Sequence, residues 1–200
     1  DIFFEDKRKG IDNSRFKIYI SHLLADNSFK PEMLEEIKTL KTIRKNISSV
    51  ITTNYDNLVE QVFQFDPLVG NNILLSNPYG AVYKIHGSIE NPSSIIITAG
   101  DYRNFDTKYE LIRAQLLSLF MHNPIIFIGY SLTDENIKKL LHTIFSYVNA
   151  DSETAEKIRN NFLIIERDHG SENTEVTPFD IIVDNKNIRV NKIKTDNFTA

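Results

Sequence analysis

The residue best suited to acid–base chemistry is a histidine at the end of a short apolar segment. His86 follows the apolar run 82–85 and precedes Gly87, so its imidazole is predicted at the end of a strand, beside a flexible residue. Because histidine titrates near neutral pH, this position suits proton transfer. A histidine that is only hydrogen-bonded or at the surface would give the same pattern, and the residues alone leave that alternative open. The remaining histidines lack the spacing of a zinc-binding motif; they are His22, His122, His142 and His169.

Two predicted strand-to-helix turns carry further polar residues, one after the β-rich run 48–52 and one after the apolar run 125–128. The polar and small residues at these turns are Thr53, Asn54, Asp56, Gly129, Ser131 and Asp134. Backbone N–H groups that open a helix can face a phosphate or a ribose, and the helix dipole favours such groups. Helix capping is the alternative role for Asn, Asp and Ser at these positions, and both roles stay open.

Composition bounds the class of protein. The 200 residues are 41% hydrophobic and 25% charged, which is typical of one packed globular domain. A net charge of −4 gives no basic field for nucleic acid. The absence of cysteine excludes disulfides, thiol catalysis and cysteine-based zinc sites within this sequence. No apolar run approaches the roughly 20 residues that cross a bilayer.

Helices alternate with short apolar strands, which predicts an α/β fold with a largely parallel sheet. Ligands usually bind beyond the carboxyl ends of the strands in such sheets. Apolar spacing predicts helices over 16–24, from Pro31 onward, over 55–63, 106–121, 137–148 and 152–159. Strands are predicted at 48–52, 73–75, 82–85, 95–98, 125–128, 162–166, 181–183 and 188–193. The run 125–128 does not alternate, so we expect it to be covered on both faces, and the segment 98–102 is predicted as a polar turn.

Four segments follow one another in a fixed order: TTNYD at 52–56, KIHGS at 84–88, TAGDY at 98–102 and IGYSLTDENI at 128–137. In this order and spacing they resemble the sirtuin-like domains of bacterial antiphage defence NADases. The resemblance covers about residues 45–150, and the ordered set is much more specific than any one segment. It implies a Rossmann-like, three-layer α/β fold with a largely parallel sheet and added helices. It also implies NAD as the substrate, without a metal.

The resemblance assigns roles to the residues of the first turn and to the histidine. Asn54 matches the residue that contacts the nicotinamide ribose and helps to place the attacking water. Asp56 matches the residue that holds the nicotinamide carboxamide, and Thr53 binds the cofactor beside it. His86 matches the catalytic histidine, which acts on a ribose hydroxyl.

The second turn is assigned to the other half of the dinucleotide. Gly129 and Ser131 match the loop that approaches the adenosine side of NAD, where a small residue permits close backbone contact. Asp134 is expected either to cap the following helix or to contact a ribose.

Two departures from the sirtuin pattern shape the functional expectation. Deacylase sirtuins usually carry a four-cysteine zinc module, and this sequence has no cysteine. The glycine-rich loop that follows the first strand is also missing, and the segment 9–11 does not replace it. Because the sequence starts at Asp1 rather than Met, we expect a longer protein that carries this strand and loop upstream. Residues 1–200 are predicted as one domain, with a helical region at 1–46 and a sheet-containing core at 47–200.

The resemblance therefore predicts an NAD+ glycohydrolase that releases ADP-ribose and nicotinamide, as the effector domain of a defence system that depletes NAD. The alternatives are a module that binds NAD or ADP-ribose without turnover, or serves as a scaffold, and, with least support, a protein deacylase. We expect a cytoplasmic protein that forms homo-oligomers through the sirtuin-like domain. A phage protein or a defence partner would act as the trigger through other regions of the protein. We expect the protein to bind neither a membrane nor nucleic acid directly.

Overall fold

The computed structural model describes residues 14–75, 79–108, 110–129, 135–147, 152–183 and 186–196. The chain falls into two compact units, Asp1–Ile112 and Arg113–Ala200. In the described ranges, no helix is long and apolar enough to cross a membrane. The single-domain organisation and the boundary after residue 46 stay predictions.

The first unit is built around a small parallel sheet. Its helices are α1 (Arg15–Ala25), α2 (Leu34–Ile43), α3 (Leu58–Phe63) and α4 (Ala99–Lys108), and its strands are β1 (Ser49–Thr52), β2 (Asp66–Val69) and β3 (Ala81–Lys84). Short 3₁₀ helices lie at Pro31–Met33, Arg44–Asn46, Gly70–Leu75 and Pro92–Ser94. The strand order is β1-β3-β2, and both neighbouring pairs are parallel.

Apolar side chains from α2, α3 and β3 form the core of this unit. Ile37, Val62 and Val82 are buried together, and Phe63 stacks on Phe65 with ring centroids 5.8 Å apart. Met33, at the end of the preceding 3₁₀ helix, and Leu40 on α2 pack against the same cluster. This packing fixes α3 against the sheet, and α3 directly follows the first polar turn.

The second unit holds a four-stranded sheet flanked by helices. α5 (Glu110–His122) leads into it, and β4 (Ile125–Ile128), α6 (Glu135–Tyr147), α7 (Glu153–Asn160), β5 (Phe162–Arg167), β6 (Thr177–Val183) and β7 (Lys186–Thr195) follow. The order is β4-β5-β7-β6, with only the β6–β7 pair antiparallel among the described strands. The predicted α/β class with mainly parallel strands is therefore confirmed.

Aromatic contacts dominate the core of the second unit. Phe162 on β5 lies 6.1 Å from Phe120, 6.3 Å from Phe127 and 6.0 Å from Phe145, measured between ring centroids. A buried lysine, Lys192 on β7, pairs with Glu166 on β5. This charge pair lies in the sheet of the second unit.

Two predicted strands are wrong. The run 73–75 belongs to the 3₁₀ helix Gly70–Leu75, which begins with a positive φ at Gly70. The run 95–98 forms no strand because its amide groups are used elsewhere: Ile96 donates to the carbonyl of His86, and Ile97 donates to the carboxylate of Asp101. In a sequence, an apolar run of three or four residues does not show whether the segment forms a strand, a 3₁₀ helix or neither.

The edge strand β2 was not predicted from the sequence, because it contains a proline. Pro67 cannot donate a ladder hydrogen bond, which argues against a strand in the middle of a sheet. In the order β1-β3-β2 this strand lies at an edge, where proline is tolerated.

One predicted burial pattern and one helix boundary also differ from the structure. Strand β4 is not covered on both faces, since Ile126 and Ile128 are 57% and 53% exposed. Helix α1 forms as predicted but buries Ile18 and Ser21, while Phe16, Tyr19 and Leu23 are exposed. The described residues of the helix predicted over 106–121 are helical, in α4 and α5, and α4 starts earlier than predicted because Thr98 and Asp101 bond reciprocally across its first turn.

Candidate functional site

The turn after β1 and the histidine after β3 lie at the same edge of one sheet. β1 and β3 are adjacent and parallel, and Thr52 is level with Lys84. The amide of Ile85 donates to the carbonyl of Thr52 over 3.2 Å, so the pairing continues to the ends of both strands. The predicted residues Asn54, Asp56 and His86 therefore follow neighbouring carboxyl ends.

Two hydrogen bonds join this turn to the segment that carries the histidine, and a third closes that segment on itself. The amide of Ile89 donates to the carbonyl of Tyr55 over 3.0 Å, and the Tyr55 hydroxyl donates to the carbonyl of Ile96 over 2.8 Å. The amide of Ile96 in turn donates to the carbonyl of His86 over 2.9 Å. Tyr55 therefore connects the turn to both sides of the histidine loop.

His86 lies in a buried and tightly built position. The residue is only 3% exposed. Its ring packs edge-on against the ring of Tyr102, with centroids 5.6 Å apart. The next residue, Gly87, has φ +92°, and a Cβ added there would lie 2.3 Å from the carbonyl oxygen of Ser94. The loop can follow this path only because Gly87 has no side chain.

The residues of the turn differ in what they contact. Asn54 is exposed, and its backbone amide donates to the Thr52 hydroxyl over 3.1 Å. Asp56 is half-buried, and its Oδ1 accepts the amide of Leu58 over 3.0 Å at the start of α3. The capping alternative thus describes Asp56, whereas Asn54 makes no such contact among the described residues. Thr53 lies between β1 and Asn54 and is half-buried.

Sequence reasoning missed Asp101 as a structural centre of this region and predicted a simple turn. Its carboxylate accepts the ammonium of Lys17 at 2.6 Å and the amides of Ile97 and Thr98 at 3.2 and 2.9 Å. Burial alone would raise the pKa of Asp101, but Lys17 and the hydrogen bonds from Thr98 and Ile97 outweigh it and lower the pKa from 3.8 to about 2. The Thr-x-x-Asp spacing at 98–101 is the signal that could have found this cap.

The predicted adenosine-side residues lie in the second unit or outside the described residues. Gly129 directly follows β4, is exposed and has φ +63°, with no atom within 4 Å of an added Cβ. Ser131 and Asp134 lie outside the described residues. In the part of the chain that the structure describes, no group of three or more His, Asp or Glu side chains could hold a metal ion.

Comparison with known proteins places this geometry in a family context. NAD(+) hydrolase ThsA of Enterococcus faecium is 32% identical over 135 residues, which is 62% of this chain and 28% of that protein. Defense-associated sirtuin 2 of Bacillus subtilis is 30% identical over 113 residues, covering 52% of this chain and 11% of that protein. NAD(+) hydrolase ThsA of Bacillus cereus (strain MSX-D12) is 26% identical over 137 residues, which cover 64% of this chain and 28% of that protein.

The matched part thus spans at most 28% of the length of these relatives. A family model described as SIR2-like domain matches residues 48–190. This match includes β1, β3 and the turns that follow them, together with most of the second unit. By this match the chain belongs to the SIR2-like domain family.

Proposed function

We propose that this chain is an NAD+ glycohydrolase domain, which hydrolyses NAD to ADP-ribose and nicotinamide and acts as the effector of a bacterial antiphage defence system. Relatives named NAD(+) hydrolase, at 26–32% identity, support the reaction class, and a relative named defense-associated sirtuin supports the setting. The observation that carries the proposal is the meeting of the Asn54–Asp56 turn with His86 at one carboxyl edge of the β1–β3 pair.

The reaction needs few chemical groups from the protein. Water adds to C1 of the nicotinamide ribose, the bond to the nicotinamide nitrogen breaks, nicotinamide leaves as a neutral molecule, and one proton is released. The transition state resembles an oxocarbenium ion, so the site must hold nicotinamide, stabilise a developing positive charge and place the water.

Each proposed residue has one part in this reaction. The Asn54 amide orients the attacking water, and the Asp56 carboxylate binds the nicotinamide carboxamide. His86 accepts a hydrogen bond or proton from a ribose hydroxyl. Its burial removes competing water from around the imidazole.

The remaining contacts and partners belong to the same proposal. Thr53 binds beside the nicotinamide ribose, Gly129 and Ser131 approach the adenosine side, and Asp134 caps a helix or contacts a ribose. We further propose that the protein is cytoplasmic, forms homo-oligomers through this domain, and is triggered by a phage protein or a defence partner through regions outside it.

A second function has one observation in its favour. Because His86 is 3% exposed, its imidazole offers little surface to a substrate. A module that binds NAD or ADP-ribose without turnover would accommodate that burial. The two functions differ in whether nicotinamide is released.

The experiment measures nicotinamide release by chromatography and ADP-ribose binding by calorimetry on the complete natural protein, with its trigger supplied. Asn54→Ala is compared with Asn71→Ala, which changes an exposed asparagine in the 3₁₀ helix after β2. We expect Asn54→Ala to lower kcat by about 100-fold or more, because water placement is lost, and Asn71→Ala to behave as wild type. Binding without nicotinamide release in the wild type would replace hydrolysis by the second function.

A further inference from the structure

A lysine lies fully buried two residues before the histidine. Lys84 is the last residue of β3, and none of its surface is exposed. Lysine is almost never fully buried unless it is paired, because removal of the ammonium from water is costly. We therefore expect the Lys84 ammonium to be paired inside the protein.

The Lys84 ammonium reaches from β3 to the turn that carries Asn54 and Asp56. It donates to Oε1 of Glu60 on α3 over 2.7 Å, and it also donates to the backbone carbonyl of Asp56. The second contact holds the peptide group between Asp56 and Asn57. One buried charge thus joins the strand that leads to His86 with the turn beside it.

The pair is poorly arranged for stability alone. Oε2 of Glu60 is buried and has no hydrogen-bond partner within the described residues. Buried ion pairs often contribute no more stability than apolar side chains of the same volume, and an unsatisfied oxygen makes the balance worse. What an apolar pair could not reproduce is the donor to the Asp56 carbonyl.

We infer that Lys84, held by Glu60, is a positioning residue that fixes the Asn54–Asp56 turn relative to His86. The inference rests on the proposed function, since the turn and the histidine are the groups proposed to act on NAD. Lys84 has no direct contact with substrate in this account. It acts by holding the carbonyl of Asp56, and so it sets where the side chains of that turn lie.

Two variants in the complete natural protein separate positioning from stability. Lys84→Met combined with Glu60→Leu replaces the pair by apolar residues and removes the donor to Asp56. Glu60→Gln keeps an oxygen acceptor for Lys84 and leaves that donor in place. The matched control is Lys192→Met combined with Glu166→Leu, which removes another buried lysine's ion pair, in the second unit.

Four quantities are measured for each protein: Tm, the kcat and the KM for nicotinamide release from NAD, and amide hydrogen exchange of the segment 54–58. For the Lys84/Glu60 double variant we expect a Tm within about 5 °C of wild type. We expect a fall of about 100-fold in kcat, with KM changed less than about threefold. Exchange in the turn should quicken about tenfold. Glu60→Gln and the Lys192/Glu166 control should match wild type in kcat and in exchange of the turn.

The inference is overturned if the folded double variant keeps wild-type turnover or wild-type exchange in the turn. It is also overturned if Glu60→Gln loses turnover as strongly as the double variant, because the charge and not the carbonyl contact would then matter. Should the double variant fail to fold, Lys84→Met combined with Glu60→Gln removes the same donor with a smaller change of side-chain shape, and wild-type turnover or wild-type exchange of the turn in that protein overturns the inference. A wild-type protein that binds NAD without releasing nicotinamide defeats the proposed function instead, and exchange of the turn then decides the positioning role.

Discussion

Gly87 follows the proposed catalytic histidine and has a backbone conformation that other residues rarely adopt. Its φ is +92°, and an added Cβ would meet the backbone of Ser94 and Ile95 within 2.7 Å. Gly87→Ala should therefore lower the free energy of unfolding by about 2–4 kcal/mol, as measured by urea denaturation.

Gly170→Ala is the matched control for that prediction. Gly170 has φ +78°, but no atom lies within 4 Å of an added Cβ, so only backbone strain of about 1 kcal/mol is expected. Equal losses for the two variants would show that the loop around His86 is not tightly packed.

The carboxylate of Asp101 makes stability depend on pH in the acid range. Its pKa in the folded protein is about 2 against 3.8 as the ordinary value, so the charged form is favoured by folding. The contribution, about 2 kcal/mol, is fully present above pH 4 and is lost as the pH falls from about 4 towards 2. Urea unfolding of the wild type at pH 6, 4 and 2.5 measures it.

Asp101→Asn supplies the comparison for that acid-range loss. The variant should be less stable than wild type at pH 6, and the two proteins should converge near pH 2. If wild type and variant lose stability in parallel over this pH range, the ion pair between Lys17 and Asp101 makes no contribution to stability.

At the scale of elements, helix α1 buries a face that its apolar spacing does not indicate. Phe16, Tyr19 and Leu23 lie at helical spacing in the sequence, but the structure buries Ile18 and leaves Tyr19 exposed. Beside Ile18, the ammonium of Lys17 pairs with Asp101 on α4 at 2.6 Å. A contact between residues 84 positions apart leaves no periodic signal in sequence.

Neighbouring residues on α1 give a direct comparison. Ile18→Ala should lower the free energy of unfolding by about 2–4 kcal/mol, because it removes buried methyl groups. Tyr19→Ala, one position along, should change it by less than about 0.5 kcal/mol. Thermal unfolding followed by circular dichroism measures both, and the reverse order would mean that α1 presents its other face to the protein.

Element prediction succeeded where the apolar pattern alone decided the structure and failed where hydrogen bonds or sheet position decided it. Helices α2, α5 and α6 and strands β4 and β5 were predictable from their apolar spacing. The run 95–98 failed because Asp101 and His86 satisfy its amides, and β2 failed because its proline is acceptable only at an edge. Short segments are decided by tertiary contacts that a local pattern cannot contain.

At the scale of the whole molecule, the order of motifs was more informative than any element. Four short segments identified the SIR2-like family, which the match over residues 48–190 confirms. The parallel pairing of β1 with β3, which no local pattern predicted, brings Asn54 and His86 to one edge of the sheet. The burial of His86 and the contact between Lys84 and the Asp56 carbonyl needed the structure, because both depend on distant parts of the chain.

The most direct test of the proposed hydrolase compares nicotinamide release from NAD by the complete natural protein, with its trigger supplied, and by two histidine variants. His86→Ala should lose turnover by about 100-fold or more while ADP-ribose still binds, because the proton acceptor at the ribose is gone. His122→Ala, an exposed histidine at the end of α5, should keep the wild-type rate. Wild-type turnover in the His86→Ala protein would contradict the proposed catalytic role and the site built around it.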